Sequence, residues 1–136
     1  MKAILKFIPL LLLFAFLIAC NNTTTDPEEK TDGMDDNLSV ALDINPTQAK
    51  VKEQVTFTIE VKLDDKSISE VDELILEIWR EGDEENKHRM VDISYREDGK
   101  FYYDSTFDTP GLYFVNCHVS VNDVHDMPEK TFTIME

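Results

Sequence analysis

The sequence predicts an all-β fold, an immunoglobulin-like seven-stranded antiparallel β-sandwich over residues 38–136. Apolar residues recur with period two from Leu38 onward, not with the 3.6-residue period of a helix. Turn-forming pairs punctuate these runs at short intervals, and seven short strands at such spacing favour two packed sheets. A small closed barrel is the alternative architecture.

The elements follow in order. Leu38–Ile44 reads as an edge strand. Val55, Phe57, Ile59, Val61 and Leu63 alternate with Thr56, Thr58, Glu60 and Lys62, the pattern of a half-buried strand. Leu74, Leu76 and Ile78 form a second face; Val91, Ile93 and Tyr95 a third; Phe101, Tyr103 and Phe107 a fourth. Tyr113, Val115, Cys117, Val119 and Val121 form the longest face, and Lys130–Met135 supplies an edge strand at the other end. Asn45-Pro46, Asp64-Asp65, Glu81-Gly82-Asp83, Asp98-Gly99, Thr109-Pro110-Gly111 and Asn122-Asp123 separate the runs. Asp-Gly between alternating runs is a strong hairpin signal. Thr109–Tyr113 resembles the approach to the sixth strand of immunoglobulin-like folds, where a tyrosine often pins a corner. Trp79 falls on the polar side of its strand, and the disulfide of that fold is missing.

Residues 1–19 read as a signal peptide. Lys2 and Lys6 precede an apolar run from Phe7 to Ala19, too short to span a bilayer as a helix. Leu17-Ile18-Ala19-Cys20 resembles the bacterial lipobox, which implies lipidation of Cys20. Two or more acyl chains anchor a protein stably, each buried methylene contributing about 0.8 kcal/mol. Residues 20–37 then form a polar, acidic tether with no apolar periodicity, composed like a disordered spacer. The expected location is the extracytoplasmic face of the cell membrane. With Cys20 lipidated, Cys117 has no partner for an internal disulfide.

Charge narrows the partners. The chain carries 13 basic and 28 acidic side chains, a net −15. Without the first 19 residues the balance is 11 against 28, and residues 38–136 alone hold 10 against 22. Such a surface repels phosphate backbones, which excludes nucleic acid, and disfavours a polybasic grip on lipid headgroups. The lipid is therefore the expected route to the membrane.

The candidate chemistry lies in the second half. Cys117 and Val119 point inward, so His118 points outward with Asn116 and Ser120. If Asn122-Asp123 is a two-residue turn, Ser120 pairs with His125 and His118 with Met127, giving one outward cluster. Pro128 should end or distort that arm, because it cannot donate to a ladder. Two imidazoles and a thioether suit copper, Cu(I) in particular, better than magnesium, calcium or zinc. His88 and Met90 begin another strand that could complete the shell. Cys117 is buried by its register, which argues against a reactive thiol. No GxSxG elbow, catalytic triad, calcium loop or paired carboxylates can be assembled, so no enzyme is expected.

Several short motifs occur in one order: Glu77-Ile78-Trp79-Arg80-Glu81-Gly82, Lys87-His88-Arg89-Met90, Asp98-Gly99, Gly111–Val119 and His125-Asp126-Met127-Pro128. Together, across roughly residues 40–134, they resemble the YtkA-like domain. That family comprises small exported bacterial domains, many of them lipoproteins, distantly related to FixH-type accessory proteins of cytochrome oxidase assembly. The family pattern has histidines where this chain has His88, His118 and His125, and its His-x-Met-Pro motif matches His125–Pro128. Cys117 departs from the pattern, which more often has an aliphatic residue there. The resemblance implies metal binding by His88, His118, His125 and Met127, in copper handling or oxidase maturation, with an envelope or oxidase-assembly protein as partner. The competing expectation is a metal-independent interaction module of the envelope.

Overall fold

A computed structural model describes residues 37–94 and 96–136. The expected signal peptide, Cys20 and all of the expected tether except Asn37 lie outside the described residues, as does Tyr95.

Two sheets face each other. One has the order β1 (Leu38–Asn45), β3 (Val55–Leu63), β8 (Lys100–Ser105), β7 (Arg96–Glu97), with β4 (Lys66–Ser67) on β3. The other has the order β2 (Gln48–Lys50), β11 (Glu129–Met135), β9 (Gly111–Val121), β5 (Glu73–Arg80), β6 (Arg89–Asp92), with β10 (Val124–Asp126) on β9. All seven predicted strands are present, and their pairing follows the two-sheet scheme of immunoglobulin-like domains.

The alternating faces become the core. Val55, Phe57, Ile59 and Val61 on β3 and Leu74, Leu76 and Ile78 on β5 are buried. So are Tyr113, Val115, Cys117, Val119 and Val121 on β9. Four rings knit the sheets at one end. Phe132 packs edge-on to Phe57 at 5.5 Å and lies 5.0 Å from Phe107 and 5.3 Å from Tyr113. Tyr113 Oη donates to Thr109 O at 2.9 Å, which ties the start of β9 to the loop before it. This is the tyrosine corner that Thr109–Tyr113 predicts.

Turn chemistry holds the register. Asp64-Asp65, Asp98-Gly99 and Asn122-Asp123 all have positive φ at both central positions, as type I′ hairpin turns require. The closing pairs are Leu63↔Lys66, Glu97↔Lys100 and Val121↔Val124.

Three expectations need correction. The sheets are not wholly antiparallel, because β2 pairs with β11 in parallel. The C-terminal strand is not an edge for the same reason: after the cis Asn45-Pro46 bond the chain leaves the first sheet and lays β2 along its outer side. The Val91–Tyr95 face is shorter than expected. β6 ends at Asp92, and Ile93 is buried just beyond it.

Candidate functional site

The outer face of the second sheet is built from the alternate positions the core does not use. β5 contributes Ile75, Glu77 and Trp79; β9 contributes Phe114, Asn116, His118 and Ser120. Pairings Ile75↔His118, Glu77↔Asn116 and Trp79↔Phe114 set these residues in rows across the two strands. β6 places Met90 opposite Glu77 on the other side.

The hairpin assumed from the sequence is present. Val124 pairs with Val121 and His125 with Ser120, then Asp126 with Val119. Past Met127 and Pro128 the ladder resumes with Glu129↔Asn116 in the same register. β10 and β11 are thus one line of chain, interrupted where proline lacks an N–H, and Met127 lies opposite His118. Even at the interruption Cys117 N donates to Pro128 O at 3.0 Å.

His118, His125 and Met127 line one shallow cavity of about 270 Å³ with Glu73, Val119 and Ser120. His125 Nδ1 and Ser120 Oγ are 2.7 Å apart. Met127 keeps 57% of its surface exposed, as does Met90. Two larger clefts, of about 490 and 530 Å³, flank the segment from Ser69 to Asp72. Neither holds an imidazole, thiol or thioether, so size does not mark the site here.

His88 reaches this face differently. It precedes β6, and its ring lies flat on Trp79 with centroids 4.7 Å apart and planes 10° apart. Trp79 in turn stacks on Phe114 at 5.5 Å. His88 Nδ1 sits 2.7 Å from Glu77 Oε1, and His118 Nε2 sits 2.9 Å from Glu77 Oε2. One carboxylate therefore joins the two histidines. The hydrogen bonds from His88 and then His118 hold the Glu77 carboxyl below its ordinary value of 4.5, against the opposing effect of partial burial.

Among the described residues no three His, Cys, Asp or Glu side chains form a group that could hold a metal ion. The donor set at the cavity is two imidazoles and a thioether. Its composition fits a soft cation, and the oxygen groups that line the cavity with it, the Glu73 carboxylate and the Ser120 hydroxyl, fall short of the about six oxygen ligands magnesium or calcium takes. Asn116 Oδ1, opposite Glu77, is a buried side-chain acceptor with no hydrogen-bond partner among the described residues. Cys117 is fully buried beneath the face, and burial pushes its thiol up to about 12, which makes it inert.

Of the four residues predicted to bind metal, three share the cavity and His88 does not line it. Glu77 and Trp79 were not singled out for the site. Both stand at outward positions of an alternating strand, but the meeting of Glu77 with His118 depends on β5 lying beside β9, and that of Trp79 with His88 on the return of the chain from β5 to β6.

No family model and no curated protein matches the sequence. Among solved structures, the chain is similar to a superoxide reductase (neelaredoxin) from Ignicoccus hospitalis, with TM-score 0.53 and 9% identity over 75% of this chain and 84% of that one. It is also similar to the PmoD soluble domain from a Methylocystis species, with TM-score 0.49 and 11% identity over 74% of this chain and 92% of that one. A CARDB domain from Pyrococcus furiosus, described in complex with di-metal ions, gives TM-score 0.46 and 16% identity over 74% and 89%. Likeness at these identities concerns the fold alone.

Proposed function

We propose that this protein is a lipid-anchored, extracytoplasmic β-sandwich domain that binds copper as Cu(I) through a histidine–methionine face, in copper handling or oxidase maturation. The observation that carries this reading is the cavity shared by His118, His125 and Met127. Imidazole and thioether donors together select a soft ion, and an exposed thioether at the rim leaves the site open to exchange. The acidic balance of the domain attracts cations without choosing among them. The ordered motifs that resemble the YtkA-like domain support the same assignment, and the lipobox-like run ending at Cys20 supports the anchor.

Titration with Cu(I) against a competing chelator tests the function, comparing wild type with the His118→Ala, His125→Ala double variant. Tight binding that collapses in the variant is expected; equal affinity in both removes the proposal.

A second reading, a metal-independent docking module for an envelope protein, is favoured by the outward Trp79–Phe114 stack, which shares its sheet face with exposed Met90 and Met127. Crosslinking in whole cells separates the two. A partner captured equally by wild type and the double-histidine variant supports docking without metal.

A further inference from the structure

We infer that Glu77 is a positioning residue for this metal-binding face, and that His88 serves it as an anchor and not as a ligand. The bridging carboxylate sets His118 to present Nδ1 to the cavity. This inference rests on the proposed function and specifies how the site is held.

An ionised carboxylate only accepts hydrogen bonds, so each imidazole nitrogen that faces it must carry a hydrogen. His118 Nε2 faces Glu77 Oε2 at 2.9 Å, which makes Nε2 the donor and leaves the lone pair of the neutral ring on Nδ1. A metal takes that lone pair. A ligating histidine whose other nitrogen donates to a carboxylate is the usual supporting arrangement at metal sites, fixing both tautomer and ring orientation. Here the ring in question also lines the cavity with His125 and Met127.

The anchor follows from the other oxygen. Glu77 Oε1 accepts from His88 Nδ1 at 2.7 Å. The His88 side chain is 15% exposed, against 28% for His118, and its ring is held flat against Trp79. A glutamate on a sheet surface would otherwise sample several rotamers. Two hydrogen bonds on opposite oxygens remove that freedom. The Trp79–His88–Glu77–His118 chain therefore transmits rigidity from a stacked aromatic pair to one nitrogen in the cavity.

His88 was expected to complete the metal's shell. As a ligand it would act at the metal independently of Glu77; as an anchor it acts only through the carboxylate. Non-additivity distinguishes the two roles.

The test uses the full-length chain, labelled with nitrogen-15 at histidine and free of metal, at a pH where the imidazoles are neutral. Two-bond proton–nitrogen correlation spectra should show His118 as the Nε2–H tautomer and His88 as the Nδ1–H tautomer. In Glu77→Gln the amide can accept from one imidazole but must donate to the other, so one of these signatures should invert or average. Cu(I) affinity should fall about 10- to 100-fold in Glu77→Gln. His88→Phe keeps an aromatic ring for Trp79, so the fold has little to lose. It should weaken Cu(I) binding in the wild-type background and add nothing in the Glu77→Gln background. Mixed tautomers at His118 in the wild type overturn the inference, as do losses from His88→Phe and Glu77→Gln that multiply. Cu(I) affinity unchanged by Glu77→Gln, yet abolished by the His118→Ala, His125→Ala pair, overturns this inference while leaving the proposed function intact. No Cu(I) binding by the wild type would instead remove the proposed function itself.

Discussion

His118 donates through Nε2 to Glu77 Oε2 across 2.9 Å, although the two residues are not directly opposed in the sheet. His118 faces Ile75, and Glu77 lies two residues further along β5. The bond is a diagonal contact, within the 7–8 Å typical of such neighbours and reachable by two long side chains.

That bond gives the domain a pH signature. The Glu77 carboxyl is held below 4.5 by its imidazole donors, so its ionised form is favoured in the folded state. A depressed carboxyl contributes stability above its unfolded value and loses it as pH falls through the folded one. The stability advantage of wild type over Glu77→Gln, read from urea midpoints, should be present at pH 7 and shrink as pH drops below 4.5. A gap that stays constant from pH 7 to pH 3 contradicts the assignment.

Cys117 should be chemically silent in the native protein. It is fully buried, and its thiol is pushed up to about 12, first by desolvation and then by the nearby Asp126 carboxylate. Iodoacetamide at pH 8, followed by peptide mapping, should leave the Cys117 peptide unmodified until denaturant is added. Labelling of the folded protein at a rate near that of a free thiol would place the side chain elsewhere.

The corner at Tyr113 should have a modest, measurable value. Tyr113→Phe removes the hydrogen bond to Thr109 O and keeps the ring against Phe107 and Phe132. An intramolecular hydrogen bond of this type contributes roughly 0.5–1.5 kcal/mol. Urea unfolding should show a loss of that order, and an unchanged midpoint would mean the corner bond contributes nothing.

Membrane attachment is predicted to depend on one atom. Cys20→Ala removes the sulfur that a lipoprotein transferase would modify and should release the protein or leave its precursor unprocessed. Fractionation of cells into membrane and soluble parts checks this; unchanged membrane partition would contradict it.

Most of the fold was legible because alternation is a local property. Val55 to Leu63 and Tyr113 to Val121 declare their buried faces residue by residue, and Asp98-Gly99 and Asn122-Asp123 declare their turns. The parallel β2–β11 pair was not legible. β2 has three residues with only Ala49 buried, and its place depends on a chain crossover rather than on any periodicity. The site divides in the same way. His118, His125 and Met127 could be brought together from one hairpin register, since a single turn fixes all three. The bridge from His88 through Glu77 could not, because it requires β5 to lie between β6 and β9. Sequence alone assigns His88 a place in the metal's shell, whereas in the structure its contacts are with Glu77 and Trp79.

The most direct measurement of the central claim is the Cu(I) affinity of the wild-type protein and of its His118→Ala, His125→Ala variant under one competing chelator. Tight binding in the wild type, lost by at least about 100-fold when the paired imidazoles are removed, is the predicted result (about 2.8 kcal/mol at 1.4 kcal/mol per tenfold). Equal competition by both proteins, or none by either, would contradict it.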